Sequence, residues 1–321
     1  MANLPTEIIK VARPVHWIKN GALFAAIIFS GNLFSEVLFL KVFIAFISFS
    51  LATSAAYIFN DIIDAPLDRV HPIKRNRPIA AKRLSLPEAT GAMFIFFVAS
   101  VYLALGLNSL FLLTLLGYLV MQVVYSLGLK NVAIIDIIII AAGFIIRVYA
   151  GAFAIDAHLS VWFLLCVISV ALFLASGKRR AELGVIAASP GTTRKSLTKY
   201  SKTLLDSYVT MFGNAAWMSW ALFTFFESPS AALPVWLFLA ELSRTTTVNK
   251  LLMITIPVVI FGIMRYESLI FENRSESPEK LFLTDKALIA SIILWLGLVI
   301  WVLYGGVTNL ALVAPIISPI N

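Results

Sequence analysis

The stretch NDIIDAPLDRVHPIKRNRPIAAKR, residues 60–83, combines three carboxylates with a dense run of basic residues. The acids are Asp61, Asp64 and Asp68, whose spacings of three and four place them on one face of a helix. Long apolar runs flank the stretch on both sides. Charges concentrated in this way at the end of an apolar run indicate a site at the end of a membrane-spanning helix.

The composition identifies the class of protein. The chain has 321 residues, of which 60% are hydrophobic and 13% are charged, and its mean hydropathy is +0.93. A soluble domain is usually about 45–50% apolar and about 25% charged. The apolar runs are too long and continuous for the alternating pattern of barrel strands. We therefore expect an all-α integral membrane protein with a single domain over residues 1–321.

The apolar runs predict nine membrane-spanning helices, at about 22–30, 36–60, 88–105, 109–127, 132–155, 161–176, 204–226, 250–266 and 286–304. With nine spans, the N-terminus and every second loop share one side of the membrane, and 21 of the 25 Lys and Arg residues fall there. The positive-inside rule then places the N-terminus in the cytoplasm and the C-terminus outside the plasma membrane. The basic charge reflects this topology rather than nucleic-acid binding. The expected cytoplasmic segments are 1–20, 61–87 and 177–203.

The acids predict a magnesium site. Three carboxylates on one face repel one another unless a cation neutralises them, and Mg²⁺ prefers oxygen ligands that it completes with phosphate oxygens and water. Asp61, Asp64 and Asp68 are the predicted metal ligands, although a solvated acidic helix end is the simpler alternative. Pro66 disfavours a regular helix through Asp68 and is compatible with a turn there. Lys74, Arg75 and Arg77 follow as candidate phosphate-binding residues, and the positive-inside bias accounts for part of the same run.

The segment NDIIDAPLD resembles the N-D-x-x-D-x-x-x-D motif of the UbiA superfamily of intramembrane prenyltransferases. The resemblance implies a nine-helix bundle with a central cavity that opens at the cytoplasmic side, and a Mg²⁺-bound diphosphate at this motif. Members typically carry a second acidic motif after the sixth span, where this chain has SGKRRAELG. Lys178, Arg179 and Arg180 stand in place of acids, and Glu182 is the only carboxylate, so we do not expect a second metal.

Three further segments, RPVHWIKN (13–20), YSLGLKNVAIIDIIIIAAGFIIRVYAG (125–151) and GKRRAEL (177–183), resemble the decaprenyl-phosphate phosphoribosyltransferases. The resemblance covers the chain from 13 to about 288. It implies transfer of 5-phosphoribose from phosphoribosyl diphosphate to a polyprenyl phosphate, with release of diphosphate. Donor and acceptor together carry two phosphates besides the diphosphate, which basic side chains would bind. The candidate phosphate-binding residues are Lys19, Asn20, Asn60, Lys74, Arg75, Arg77, Tyr125, Lys178, Arg179 and Glu182.

Two charged residues, Asp136 and Arg147, lie inside the fifth predicted span. Charges within a span are costly and usually face a cavity or a partner. Asp136 is near Lys130 and Tyr125, and its role is a contact with a ribose hydroxyl, orientation of Lys130, or a structural hydrogen bond between helices. Lys130 and Asp136 join the three acids as candidate catalytic residues. We expect Arg147 to hold neighbouring helices together.

Two other functions fit a polytopic membrane protein. A UbiA-type prenyltransferase would move a prenyl group from a prenyl diphosphate to an aromatic or other acceptor, but the single acidic motif argues against it. A transporter would use the charged loops as a gate, but the odd number of spans and the lack of an internal repeat argue against that. The sequence leaves open whether the chain forms a homo-oligomer and which polyprenyl chain it binds.

Overall fold

Every regular element in the described part of the chain is helical, as predicted. The computed structural model describes residues 4–70, 74–188, 196–227, 246–272 and 278–305. The α-helices are α1 Leu4–Ala12, α2 Phe24–Phe29, α3 Glu36–Asp68, α4 Leu86–Leu105, α5 Ser109–Leu127, α6 Ile135–Ala154, α7 Val161–Ala188, α8 Lys202–Phe226, α9 Ile256–Phe271, α10 Pro278–Thr284 and α11 Lys286–Tyr304. Short 3₁₀ helices connect them at Pro14–Leu23, Lys74–Asn76, Leu129–Asn131, Leu197–Lys199 and Thr246–Thr255.

Seven helices among the described residues are long and apolar enough to cross a bilayer. Two of the nine predicted spans fall outside this set. The span predicted at 22–30 contains the last two residues of the 3₁₀ helix Pro14–Leu23 and the six-residue α2. The span predicted at 204–226 is α8, which has 25 residues but a less apolar sequence. The chain is thus a multi-pass membrane protein.

Two charged segments that were predicted as loops begin as continuations of apolar helices. α3 runs for 33 residues through Pro66 to Asp68, so the expected turn at the last acid is absent. Proline removes one backbone donor, and this loss is tolerated near the end of a helix that tertiary contacts support. α7 likewise continues through the basic segment to Ala188. Both helices therefore carry their charged residues beyond the apolar run on a rigid backbone.

The helices pack in a bundle in which α3 lies against α4 and α5, α6 lies between α5 and α7, and α7 lies along α8. Leu23, Ile27, Phe49, Phe111 and Ala150 are fully buried where α2, α3, α5 and α6 meet. Between membrane-spanning helices such contacts stabilise the bundle by van der Waals packing, because lipid tails are as apolar as the side chains. These contacts fix α3, which carries Asn60 and the three acids, relative to α6, which carries Asp136.

The 3₁₀ helix Pro14–Leu23 is held closely against α6. Gly151 permits this contact, because a Cβ atom there would lie 2.0 Å from the carbonyl oxygen of Leu23. One turn earlier, Arg147 Nε donates a hydrogen bond to Asn20 Oδ1 at 2.7 Å, and Asn20 Nδ2 donates to Ser50 Oγ at 3.0 Å. Arg147 therefore holds neighbouring helices together, as expected. Asn20, predicted to bind phosphate, is fully buried and contacts Arg147 and Ser50 in this structure.

Candidate active site

The end of α3 brings the acidic motif among basic side chains from other segments. Asp61 and Asp68 are buried, and Asp64 is half-buried. Arg77 Nη1 donates hydrogen bonds to Asp61 Oδ1 at 3.0 Å and to Asp68 Oδ2 at 2.7 Å. A single guanidinium nitrogen thus bridges two acids that are two helical turns apart. This contact confirms that Asp61 and Asp68 share one face of α3.

A second arginine contacts the same acid. Arg13 Nη2 lies 2.6 Å from Asp61 Oδ1 and 2.8 Å from Oδ2. Arg13 caps the 3₁₀ helix Pro14–Leu23 and has a left-handed backbone conformation, with φ of 52°, which is uncommon for residues other than glycine. Its guanidinium also lies over the ring of Tyr57, 5.1 Å from the ring centroid. Asp61 therefore has two cationic partners, one on each side in the sequence.

The third acid has a cationic partner of its own. Lys130 Nζ lies 2.5 Å from Asp64 Oδ1 and 3.3 Å from Asn60 Oδ1. Asn60 Nδ2 in turn donates to Asp64 Oδ2 at 3.0 Å. Lys130 is buried, on the 3₁₀ helix Leu129–Asn131 that precedes α6. The acidic motif is thus neutralised inside the protein by two arginines and one lysine.

The donor atoms of this motif suit magnesium. The carboxylates of Asp61, Asp64 and Asp68 and the amide oxygen of Asn60 are the oxygen ligands that Mg²⁺ prefers. Across the described ranges, however, no three His, Cys, Asp or Glu side chains are grouped so as to hold a metal ion. The acids are turned toward basic side chains instead of converging on one point, because like charges separate when cations are in reach. The residue types of the motif therefore suit Mg²⁺. In this structure, arginine and lysine side chains contact the same carboxylate oxygens that would bind the ion.

A second charged network lies where α7 meets the start of α6. The guanidinium of Arg179 is fully buried and contacts Asp136 Oδ2 at 2.7 Å, Glu182 Oε2 at 2.5 Å and the hydroxyl of Tyr125 at 2.9 Å. The contact with Asp136 is an ion pair without an aligned hydrogen bond. Tyr200 donates to Asp136 Oδ1 at 2.7 Å. Burial, and the hydrogen bond to this carboxylate, raise the pKa of the Tyr200 hydroxyl, which keeps it protonated as a donor.

The network pairs Asp136 with Arg179 and Tyr200. Asp136 is fully buried and contacts Arg179 and Tyr200, whereas Lys130 lies on Asp64 and Asn60. In this arrangement Asp136 orients Arg179 rather than Lys130. The reason is that a buried carboxylate and a buried guanidinium are each costly unless they are paired.

A mostly apolar cavity of about 300 Å³ is lined by residues of α6, α7 and the 3₁₀ helix Pro14–Leu23, together with residues of α9, α10 and α11. Two predicted phosphate-binding residues, Lys19 and Lys178, are among the side chains that line it. Lys178 is adjacent to Arg179, and Lys19 is six residues beyond Arg13, which is about 12 Å along a 3₁₀ helix. The lining consists of Ile18, Lys19, Ile140, Phe144, Leu174, Lys178, Tyr266, Phe282 and Ile292.

The other predicted basic residues lie at the edge of the site or outside it. Lys74 and Arg75 lie on the short 3₁₀ helix after α3, where Lys74 is half-buried and Arg75 is exposed. Arg180 is buried, pairs with Asp206 of α8 and lies over the ring of Phe271 at 5.5 Å. Arg180 therefore joins α7 to α8 and α9 and does not contribute to the acidic motif.

Two residues of the site were missed from the sequence. Arg13 lies in a segment that was recognised, but its contact with Asp61 spans 48 positions of the chain. Tyr200 contacts Asp136 across 64 positions and lies in a polar stretch without a motif. The one sequence signal for Arg13 is a cation directly before Pro14, at the entry to the first predicted span.

Comparisons with known proteins identify the family of the chain. The model of the UbiA prenyltransferase family matches residues 21–282. The chain is 33% identical over 307 residues to a decaprenyl-phosphate phosphoribosyltransferase from Corynebacterium glutamicum, which covers 94% of this chain and 88% of the relative. It is 38% identical over 229 residues to a protein of the same name from Mycobacterium tuberculosis, which covers 70% and 76%.

A solved structure shares the fold. A UbiA homologue from Archaeoglobus fulgidus, bound to GPP and Mg²⁺, superposes with a TM-score of 0.63 at 15% identity. The alignment covers 94% of this chain and 99% of that one. Together with the family match over most of the sequence, this places the chain in the UbiA prenyltransferase family.

Proposed function

We propose that this protein transfers 5-phosphoribose from phosphoribosyl diphosphate to decaprenyl phosphate or a similar polyprenyl phosphate, and releases diphosphate. One observation in the structure supports this proposal in addition to the names of the relatives. A single 3₁₀ helix contributes Arg13 to the acidic motif and Lys19 to an apolar cavity. A polar diphosphate donor and a lipid phosphate acceptor need two such sites side by side.

The acidic motif is the proposed donor site. Asp61, Asp64 and Asp68 would hold a magnesium ion, which supplies neutralisation of the charge that develops on the departing diphosphate. The arginines and lysines around the acids would contact phosphate oxygens by charge-assisted hydrogen bonds. Lys74 and Arg75 lie on the same loop as Arg77 and would contact the 5-phosphate.

The cavity is the proposed acceptor site. Ile140, Phe144 and Ile292 give it an apolar wall suited to isoprene units, and a volume of about 300 Å³ is at the lower end of typical ligand sites. Lys19 and Lys178 would contact the lipid phosphate. Because the buried Arg179 is held by three side chains, Asp136, Glu182 and Tyr125, the end of α7 that carries Lys178 is held rigidly.

The chemistry requires little more than positioning. An oxygen of the lipid phosphate forms a bond to C1 of the ribose, while the bond from C1 to the diphosphate oxygen breaks and its electron pair leaves with the diphosphate. A phosphate monoester is already ionised near neutral pH, so no general base is needed. Catalysis then depends on alignment and on electrostatic stabilisation of the transition state.

The proposed topology has nine spans in one domain of the plasma membrane, with both substrate sites facing the cytoplasm. With its 25 residues, α8 is about 37 Å long, which suffices to cross a bilayer, and it packs along the spanning helix α7. Four spanning helices, α4 to α7, separate the end of α3 from the end of α7, so the acidic motif, Lys130 and the end of α7 lie on one side. If the segment from Pro14 to Phe29 also crosses, Arg13 lies on that side too, in agreement with its contact with Asp61.

A transfer assay tests the proposal. Purified protein with ribose-labelled phosphoribosyl diphosphate and decaprenyl phosphate should form labelled lipid only when Mg²⁺ is present. Asp61→Asn and Asp64→Asn should lower the rate by at least about 100-fold, the loss that follows removal of one electrostatic stabiliser. Glu88→Gln is the matched control, because Glu88 is an exposed cap of α4 and should leave the rate unchanged. Transfer from a prenyl diphosphate to an aromatic acid instead would contradict the proposal.

A further inference from the structure

We infer that Arg13 and Arg77 hold the metal positions of the acidic motif in the substrate-free protein, so that a divalent ion enters together with the diphosphate donor and not before it. The inference rests on the proposed function for the identity of the donor. It concerns the order of binding, which the fold and the family do not specify. On this view, both arginines pair with the carboxylates before the donor binds and with its phosphate oxygens afterwards.

The contacts between Asp61 and Asp68 support this inference. Arg77 Nη1 is within 3.0 Å of an oxygen from each acid, so the nitrogen lies where one cation bridges both carboxylates. Arg13 Nη2 contacts both oxygens of Asp61. The carboxylate side chains are only 1% and 6% exposed. A metal ion that binds this pair must therefore displace the arginines, since there is little room beside them.

The exposure of the arginines shows the direction in which they can leave. The side chains of Arg13 and Arg77 are 21% and 25% exposed, whereas the acids behind them are almost inaccessible. The cations therefore lie on the open side of the site, through which a polar donor must arrive. Lys130 differs, because its side chain is 8% exposed and Asp64 is 15% exposed. The exchange inferred here therefore concerns only the two arginines at Asp61 and Asp68.

The electrostatic balance favours an exchange of partners over binding of free metal. Free Mg²⁺ at Asp61 and Asp68 would leave two arginines next to a divalent cation without anions to pair with. A metal-bound diphosphate still carries negative charge, and its oxygens accept paired hydrogen bonds from guanidinium groups. Each arginine then exchanges a carboxylate for a phosphate, and no charge is left unpaired.

Two binding measurements on the full-length protein test this inference without turnover. Free Mn²⁺ is counted by electron paramagnetic resonance in the absence of any phosphate, and retention of labelled inorganic diphosphate is measured at saturating Mg²⁺. Arg77→Gln should bind Mn²⁺ about tenfold more tightly and diphosphate about tenfold more weakly than the wild type, since one charge-assisted contact is worth roughly that factor. Arg77→Lys keeps the cation and should retain weak Mn²⁺ binding.

The matched control is Arg69→Gln, which removes the same charge from an exposed position next to Asp68 and should change neither affinity. If Arg77→Gln fails to fold, Arg13→Gln provides an independent variant. It too should bind Mn²⁺ more tightly and diphosphate more weakly than the wild type. Unchanged or weaker Mn²⁺ binding in the folded variants would overturn the inference. If Mn²⁺ binding tightens and diphosphate binding weakens as predicted, but phosphoribose is not transferred, the proposed donor is wrong. The inferred order of binding would then apply to a different diphosphate substrate.

Discussion

At the scale of single residues, the partners of Arg179 differ in what they contribute to stability. Asp136 is fully buried, whereas the side chain of Glu182 is 25% exposed. Asp136→Ala leaves a buried guanidinium without its enclosed counter-charge and should lower the free energy of unfolding by about 3–5 kcal/mol. Glu182→Ala removes a partner that water can replace and should lower it by about 1 kcal/mol or less. Thermal unfolding in detergent measures both.

A double variant separates the charge effect from lost packing. Asp136→Ala combined with Arg179→Met removes the buried cation together with its acid and should be more stable than Asp136→Ala alone. If the double variant is instead less stable than either single variant, the energy resides in packing, and the ion pair is not what Asp136 provides.

The sequence identified the acids of the site better than their partners. The spacing of Asp61, Asp64 and Asp68 encodes a shared helical face, so their position could be derived without a structure. Arg13 could not be found this way, because tertiary packing alone brings it to Asp61. Asp136 was associated with Lys130 because they are close in sequence, yet α6 directs Asp136 toward Arg179 of α7.

At the scale of helices, the contact between Gly151 of α6 and the 3₁₀ helix Pro14–Leu23 is the most sensitive to a small change. Gly151→Ala places a methyl group 2.0 Å from a backbone oxygen of Leu23, which no side-chain rotation relieves. The helix must shift, and we expect a destabilisation of about 1–3 kcal/mol. Because the same helix carries Lys19 and is capped by Arg13, transfer activity should fall as well. Unfolding and transfer assays on one preparation test both effects.

Gly117→Ala is the control for this prediction, because Gly117 lies within α5 and a Cβ atom there meets no other atom within 4 Å. Alanine favours helix more than glycine does, so Gly117→Ala should be neutral or slightly stabilising. Equal effects of the two substitutions would mean that the close approach of Leu23 to α6 does not matter for stability.

Helix type was predictable from apolar runs, but helix ends at charged segments were not. The basic segment after residue 176 has the composition of a loop, yet α7 continues to Ala188 because Arg179 and Arg180 find acids in neighbouring elements. The segment that leads into the first predicted span is a 3₁₀ helix, Pro14–Leu23, which packs against α6 at Gly151 and through Asn20. Both differences arise from tertiary contacts that override local pattern.

At the scale of the whole molecule, the distribution of basic residues agrees with the contacts between distant segments. The N-terminal segment contacts α3 through Arg13, and the loop after α5 contacts it through Lys130. Segments that the positive-inside rule assigns to one side of the membrane therefore meet in three dimensions. The pattern of charges predicted which ends of the helices come together, although it did not predict the individual pairs.

The direction of α8 decides the number of spans and can be tested with single cysteines. Lys202 and Glu227 flank α8 and are both exposed, while the native Cys166 is buried and should give little background. If α8 crosses, a membrane-impermeant maleimide should label Glu227→Cys in intact cells and Lys202→Cys only after permeabilisation. Phe34→Cys, between α2 and α3, and Arg69→Cys, after α3, are the references for the two faces. Labelling of Lys202→Cys and Glu227→Cys from the same side would exclude nine spans and would contradict the proposed topology.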